Sequence, residues 1–130
     1  MYRYACIDVG LKRIGLATSL ILNIATPQKA IQRKNRNQAS KDIDKFLTSW
    51  NINKLIIGLP SCNSETARRI KHFATLLKFN KPIIYQEEDM SSSEAKELIK
   101  GKIKQKRDGR IDSISAQLIL QRYLDEHKRI

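Results

Sequence analysis

Residues 1–19, MYRYACIDVGLKRIGLATS, contain the pattern that decides the fold. Residues 1–8 are mostly aromatic and apolar and end in the carboxylate of Asp8, which predicts a β-strand. Residues 9–12 include Gly10 and predict a turn. Residues 13–19 alternate as expected for a second strand that runs antiparallel to the first. The sequence therefore predicts a β-hairpin with Asp8 close to its turn.

The rest of the chain predicts a third strand and then an alternation of helices and strands. Residues 24–31 form the weaker third strand, where Pro27 favours an edge position because proline cannot donate a ladder hydrogen bond. The later elements are, in order, an amphipathic helix, a strand at 55–60, a helix at 64–79, a strand at 82–86, a helix that begins at Ser91 or Ser92, and a long helix at 111–127. The apolar face of the first helix is Ile43, Phe46, Leu47 and Trp50. The helix at 64–79 can be capped by Ser64, and its apolar face is Ile70, Phe73, Ala74 and Leu77. This order predicts an α/β fold: a five-stranded mixed sheet, with a three-strand antiparallel meander plus two parallel strands, flanked by helices in one domain over residues 1–130.

The net charge indicates the class of partner. The chain has 25 Lys and Arg residues against 13 Asp and Glu residues, a formal charge of +12. A solvated surface needs no such excess of one sign, so a polyanion is favoured, and nucleic acid is preferred over an anionic membrane face. The basic residues form two groups, Arg33, Lys34, Arg36 and Lys41, and Lys100, Lys102, Lys104, Lys106, Arg107 and Arg110.

Other features exclude several classes of protein. No apolar stretch approaches the ~20 residues of a membrane span, and polar residues interrupt every early apolar run that a signal peptide would need. The cytoplasm is therefore the expected compartment. Cys6 and Cys62 are too few for a disulfide framework or a structural zinc site, and His72 and His127 fit packing or surface roles better than metal ligation.

The first segment with chemical potential is residues 8–17, DVGLKRIGLA. Asp8 can hold a hard cation, Gly10 lets the backbone approach a phosphate, and Lys12 or Arg13 can neutralise that phosphate. The alternative is an ordinary hairpin turn whose basic side chains face solvent. Taken alone, this segment favours the alternative.

The second segment is the run of acids that follows the predicted fifth strand. Glu87, Glu88 and Asp89 lie at the carboxyl end of a strand, where α/β proteins place ligand sites. Their mutual repulsion would be offset by a divalent cation. The alternative is a helix N-terminus where acids are favoured by the macrodipole, and both can hold at once.

The third segment surrounds Asp112 at the start of the last predicted helix. Asp112 can be an N-cap residue. The small side chains of Ser113, Ser115 and Ala116 would also let this helix pack close to the sheet and present Asp112 inward. Both interpretations are open at the level of sequence.

Four segments in order resemble the YqgF/RuvX family over nearly the whole chain. They match D-x-G-x-K-R-I-G-x-A at residues 8–17, G-L-P at 58–60, a D-E-R-x-[ST]-T-x-E-A-like segment at 87–95, and I-D-x-x-A-A-x-x-I-L-x-x-Y-L at 111–124. The resemblance implies an RNase H-like fold. The chain departs from the pattern at Glu87, where the family has aspartate, at Asp89, where it has arginine, and after Pro60, where the loop is shorter and lacks a glycine.

The resemblance also implies an activity. The family's proposed catalytic acids fall on Asp8, Glu88 and Asp112, which would also be the metal ligands. The implied reaction is metal-dependent phosphodiester cleavage in 5′-end maturation of pre-16S rRNA, with Holliday-junction resolution as the alternative. Two divalent cations ~3.5–4 Å apart would serve this chemistry, with Asp8 bridging them. Mg²⁺ suits oxygen ligands, and Mn²⁺ can replace it.

The partners follow from this implied activity and from the charge. The substrate would be pre-rRNA or branched DNA, and both a monomer and a homodimer fit. The predicted nucleic-acid-binding residues are Lys12, Arg13, Lys102, Lys104, Lys106, Arg107 and Arg110. One rival is a non-catalytic RNA-binding ribosome-assembly factor. Another rival is the class of actin-like and sugar-kinase ATPases, which also have a D-x-G turn after the first strand but need a second large domain to enclose the nucleotide.

Overall fold

The computed structural model describes residues 2–21, 23–60, 64–87 and 109–127. The helix predicted from Ser91 or Ser92 lies outside these residues. The elements within them are β1 (Tyr4–Val9), β2 (Arg13–Ser19), β3 (Thr26–Gln32), α1 (Arg36–Ser49), β4 (Lys54–Leu59), α2 (Ser64–Thr75), β5 (Ile83–Glu87) and α3 (Arg110–Glu126). Their order agrees with the order that the sequence predicts. None of the helices in the described part of the chain is long and apolar enough to cross a lipid bilayer.

The five strands form one mixed sheet in the order β3-β2-β1-β4-β5. β1 pairs with β2, and β2 with β3, in antiparallel ladders, while β1 pairs with β4, and β4 with β5, in parallel ladders. The predicted mixed sheet is confirmed, and β3 lies at the edge, as Pro27 indicated. Because β1, β4 and β5 are parallel, their carboxyl ends lie along one edge of the sheet.

Some predicted boundaries differ from the structure, most clearly at the end of α2. This helix ends at Thr75 rather than at residue 79. The N–H groups of Leu76 and Leu77 bond to carbonyls three residues earlier, which tightens the last turn, and the Lys78 N–H is bonded by the Asp44 carboxylate at 3.1 Å. Leu77 still packs against the core beyond the helix. Elsewhere the shifts are small: β1 starts at residue 4 rather than 1, and β3 covers 26–32 rather than 24–31.

The two faces of the sheet are covered by different helices. Side chains of a strand alternate between faces, and in β1 Ile7 points to one face while Cys6 points to the other. The first face packs against α1 and α2, with the buried residues Ala5, Ile7, Ile14, Leu16, Ala39, Ile43, Leu47, Ile52, Leu55, Ile57, Ile70, Phe73 and Ala74. The second face packs against α3, with the buried residues Cys6, Ala17, Ala25, Ile56, Ala116, Ile119, Leu120, Tyr123 and Leu124.

Candidate metal and nucleic-acid site

Asp8 lies near the carboxyl end of the central strand, on the face that α3 covers. It is opposite Gly15 in the antiparallel ladder of β1 and β2. Directly opposite residues of such a ladder point to the same face, and Cys6, two residues earlier, belongs to the core under α3. Asp8 is half-buried. Its carboxylate is therefore held at the rim of the α3 face, where β1 ends.

Gly15 brings the first turn of α3 to the same place. A Cβ atom built on Gly15 would collide with the backbone carbonyl of Asp112 and would lie 2.8 Å from the Ser113 nitrogen. Only glycine permits this approach, because any other side chain would push the helix away from β2. Since Gly15 pairs with Asp8, this contact places the start of α3 beside Asp8. Asp8 and Asp112 are thus brought to one corner of the fold.

Arg13 fixes the side chain of Asp112. Its Nε donates to Asp112 Oδ2 at 3.0 Å, and the two side chains are 21% and 30% exposed. Partial exposure keeps the strength of this ion pair moderate, but the contact restricts the orientation of the carboxylate. The sequence predicted Arg13 as a phosphate contact, whereas the structure pairs its guanidinium with one of the predicted catalytic acids.

The small residues after Asp112 pack against β2 as predicted. Ser113, Ser115 and Ala116 are buried, and the Leu16 N–H donates to Ser113 Oγ at 3.3 Å, where the pairing of β2 with β3 is irregular. The capping interpretation of Asp112 is wrong: the N-cap is Gly109, and Asp112 lies inside the first turn. An acid in that turn is stabilised by the helix macrodipole, and it points its carboxylate at Arg13.

The second predicted acidic segment is described up to Glu87. This residue ends β5, pairs with Leu59 of β4 and is exposed. Its carbonyl oxygen accepts a hydrogen bond from Arg122 Nη1 of α3 at 3.4 Å. The segment therefore starts at the sheet edge where β1 also ends. Glu88 and Asp89 lie outside the described residues.

Two of the other predicted nucleic-acid-binding residues are described, and both are exposed. Lys12 lies in the β1–β2 turn, and Arg110 is the first residue of α3. Gly109 has a φ of +93° and packs so closely on Ala30 that a Cβ atom there would lie 2.5 Å from the Ala30 Cβ. The basic segment of the sequence is thus anchored to β3 at its C-terminal end. The remaining predicted residues, Lys102, Lys104, Lys106 and Arg107, lie outside the described part of the chain.

The donor set at this corner suits a hard divalent cation in type. Asp8 and Asp112 supply carboxylate oxygens, the ligands that Mg²⁺ and Mn²⁺ prefer. Within residues 2–21, 23–60, 64–87 and 109–127, no group of three or more His, Cys, Asp or Glu side chains could hold a metal ion. The third predicted acid, Glu88, is outside those ranges, so the described residues provide two members of the predicted triad.

One residue of the site was not identified as functional from the sequence. Gly15 is the contact that seats α3 on the sheet. The available signal was a glycine in the interior of an otherwise apolar strand, which often marks a close backbone approach.

Comparisons with known proteins show the family of this chain. Residues 2–126 match the sequence profile of a family described as "RuvX: Holliday junction resolvase". A protein named "Putative pre-16S rRNA nuclease" from Sulfurovum sp. (strain NBC37-1) is 53% identical over 94% of this chain and 98% of its own length. The protein of the same name from Sulfurimonas denitrificans is 50% identical over 94% of this chain and 96% of its own length.

Solved structures share the fold at low sequence identity. RuvC of T. thermophilus in complex with a Holliday junction substrate has a TM-score of 0.58 and 12% identity over 98% of this chain and 97% of that protein. The Fowlpox virus resolvase in complex with Holliday junction DNA has a TM-score of 0.59 and 14% identity over 98% and 99% of the two chains. These neighbours support the RNase H-like fold, and the match over residues 2–126 shows that the chain belongs to the RuvX family.

Proposed function

We propose that this chain is a divalent-metal-dependent nuclease that hydrolyses phosphodiester bonds in 5′-end processing of pre-16S rRNA. Asp8, Glu88 and Asp112 are the proposed metal-binding and catalytic carboxylates. Support for the substrate comes from the relatives named above, which are 53% and 50% identical to this chain over almost their whole length.

The observation that carries the proposal is the contact of Gly15 with Asp112. Gly15 is the ladder partner of Asp8, and its missing side chain lets the Asp112 backbone reach β2. Two acids that are far apart in the sequence therefore share one corner of the fold. A purely structural role for this corner would not require two carboxylates there, because like charges repel each other.

Arg13 is the proposed positioning residue for this pair. Its Nε donates to Asp112 Oδ2 at 3.0 Å, and in this proposal the carboxylate of Asp112 uses its remaining acceptor capacity to bind the cation. The guanidinium also offsets part of the repulsion between Asp8 and Asp112. Because Arg13 is 21% exposed, it can hold Asp112 without being sealed away from a bound phosphate.

The metal proposed for this site is Mg²⁺, and Mn²⁺ can replace it. Asp8 and Asp112, together with Glu88, would hold it. When bound, such ions activate the attacking water and stabilise the leaving oxygen of the phosphodiester. The protein's own contribution is to hold the acids on a rigid strand and a rigid helix, while Lys12 and Arg110 attract the nucleic-acid backbone.

The experiment is cleavage of a labelled pre-16S rRNA leader with Mg²⁺, with Mn²⁺ and with EDTA. Changing Asp8→Asn should lower the cleavage rate by at least 10³-fold, because the amide loses the negative charge that holds the cation. The midpoint of thermal unfolding should change by a few degrees at most. Isothermal titration with Mn²⁺ gives a second readout, in which the variant should lose measurable binding.

The matched control is Asp42→Asn, which removes an exposed carboxylate from α1 on the other face of the sheet. This variant should cleave at the wild-type rate. Full activity of a contaminant-free Asp8→Asn protein would contradict the proposed role of Asp8. Salt-sensitive RNA binding without cleavage by the wild type would favour the non-catalytic assembly factor.

A four-way DNA junction is the second substrate to test, because the matched family is described as Holliday junction resolvases. We expect faster cleavage of the rRNA leader under the same conditions. A preference for the junction would replace rRNA processing with junction resolution and leave the carboxylate chemistry unchanged.

A further inference from the structure

An open cavity lined by arginines lies on the face of the sheet opposite Asp8. Its volume is about 690 Å³, and its lining includes Val9, Gly10, Arg33, Arg36, Arg68 and Arg69. Val9 packs with the core under α1 and α2, whereas Asp8 points to the α3 face. We call this cavity the arginine pocket. It lies on the other face of β1 from Asp8, and Gly10 and Leu11 of the β1–β2 turn form part of its lining.

The charge of the arginine pocket is strongly one-sided. Of the described residues that line it, four are arginines and one, Glu65, carries a carboxylate. Among the described residues, none of the four arginines forms a salt bridge with an acid. The first turns of two helices also line the pocket, since Arg36 is the first residue of α1 and Glu65 lies in the first turn of α2. The positive ends of both helix dipoles add to the arginine charges.

The most buried of these arginines is held in place by the fold. Arg33 Nη1 donates to the Gly10 carbonyl at 2.8 Å, and its guanidinium lies 5.2 Å from the centre of the Phe73 ring. Burial, and after it the charges of Arg36 and Arg69, lower the pKa of Arg33 from its ordinary value. Like charges thus crowd this pocket, and a bound anion would relieve their repulsion.

We propose that the arginine pocket binds backbone phosphates of the nucleic-acid strand that passes through the candidate carboxylate site. The inference rests on the proposed function and extends it to a second binding surface. Asp8 is followed directly by Val9 and Gly10, which line the pocket. With a rise of about 3.3 Å per residue, the pocket wall begins within ~7 Å of Asp8 along the strand. A polymer that places one phosphate at Asp8 has further phosphates within reach of the pocket.

A polymeric phosphate ligand fits this pocket better than a small one. The cavity is open to solvent, and its arginines come from three parts of the chain, namely the β3–α1 loop, α1 and α2. Such a surface contacts phosphates without reading bases. Phosphate contacts of this kind give salt-dependent affinity, with each contact adding about 0.7–0.9 to the slope of log K against log salt.

The test is binding of a fluorescein-labelled pre-16S leader RNA in EDTA, measured by anisotropy at several salt concentrations. The variant Arg36→Gln with Arg69→Gln removes two pocket charges and leaves Arg33 in place. We expect affinity to fall on the order of tenfold or more, and the salt slope to fall by about 1–2. Restoring the charge with Arg36→Lys and Arg69→Lys should recover most of the affinity.

The matched control is Lys45→Gln with Lys78→Gln. Both lysines are exposed: Lys45 lies in the second half of α1 and Lys78 follows the end of α2. The net charge changes by the same amount as in the pocket variant. This control should keep the wild-type slope. Equal loss in both double variants, or no loss in the pocket variant, would overturn the proposal. Inorganic phosphate should compete only weakly with the RNA for the pocket. If micromolar phosphate displaced the RNA, the proposal of a polymeric ligand would be wrong and a small anion would be the better candidate.

Because cleavage is not measured, this experiment is independent of the proposed nuclease activity. Asp8→Asn protein should bind the RNA at least as tightly as the wild type, since it loses a negative charge near the phosphates. If the wild type binds but never cleaves, the proposed function fails and the pocket result still stands. If cleavage is normal and the pocket variant binds normally, the pocket proposal alone fails.

Discussion

The two faces of the sheet differ in how their helices meet the strands near the β1–β2 turn. Under α3, the residues Gly15, Ala17 and Ala116 are small, and the helix backbone approaches β2 directly. Under α1 and α2, larger side chains such as Ile14 and Phe73 fill the space. The α3 face holds the proposed catalytic carboxylate of Asp112 through backbone contact with β2, while the α1–α2 face contains more of the buried apolar residues. The position of Asp112 therefore depends mainly on the α3 face, and the stability of the fold depends more on the α1–α2 face.

The strongest test of this difference compares two buried isoleucines on opposite faces. Ile43 of α1 and Ile119 of α3 are both 0% exposed. Each change to alanine should lower the free energy of unfolding by about 2–5 kcal/mol. Urea unfolding measures this loss. Cleavage per folded molecule at 20 °C should be retained in Ile43→Ala and reduced in Ile119→Ala, because α3 holds Asp112. Equal cleavage by both would contradict the division of roles.

A change at Gly15 tests the backbone contact itself. Gly15→Ala places a methyl group against the Asp112 carbonyl, so α3 must move away from β2. We expect a loss of about 1–3 kcal/mol in unfolding free energy, typical of overpacking. A cleavage rate about 10²-fold lower should accompany it, because Asp112 no longer lies beside Asp8. Ala17→Gly is a useful control, since it loosens the same strand without displacing the Asp112 turn. Unchanged activity in Gly15→Ala would show that this approach is not needed.

The smallest expected effect is at the opposite edge of the α3 face, far from the carboxylates. Lys54 Nζ donates to Tyr123 Oη at 3.3 Å. This hydrogen bond is the main cause that raises the pKa of Lys54 above its ordinary value of 10.5. The stabilisation of the folded state by protonated Lys54 is therefore fully present below pH 10.5, the pKa of an unperturbed lysine. It is lost as the pH rises through the higher pKa that Lys54 has in the folded protein.

Tyr123→Phe should remove this contribution with little effect on cleavage. We expect a loss of about 0.5 kcal/mol near pH 8, since the pair is partly exposed. Thermal unfolding from pH 8 to 11 should show a shallower alkaline decline in the variant than in the wild type. A parallel decline in both proteins would show that the hydrogen bond does not stabilise the fold.

The sequence predicted the fold well because the elements are marked by local signals. The alternation at residues 13–19 coincides with β2, and Pro27 correctly indicated an edge strand. The end of α2 was predicted four residues too late, because Leu77 continues the apolar periodicity after the helix has ended at Thr75. Leu77 is therefore packed against the core without being helical, and the apolar periodicity of the sequence indicates its burial rather than its helical conformation.

The candidate site was less predictable because its contacts join distant parts of the chain. Nothing local to Arg13 indicates that it pairs with Asp112 rather than with phosphate. Arg68 and Arg69 fit the polar face of an amphipathic helix, and only the packing of α2 beside Gly10 reveals the arginine pocket. The sequence predicts the catalytic acids only through the resemblance to a family, whereas the structure shows the neighbours of Asp8 and Asp112.

The ion pair of Arg13 with Asp112 spans 99 residues, and this separation has a consequence during protein synthesis. The β1–β2 hairpin leaves the ribosome early, but the corner with both acids exists only after α3 has been made. Chains are synthesised at about 5–20 residues per second, so a partly synthesised chain spends several seconds with Asp8 but without Asp112. A chain truncated before α3 therefore cannot bring Asp112 beside Asp8, so the proposed pair of acids forms only after α3 has been synthesised.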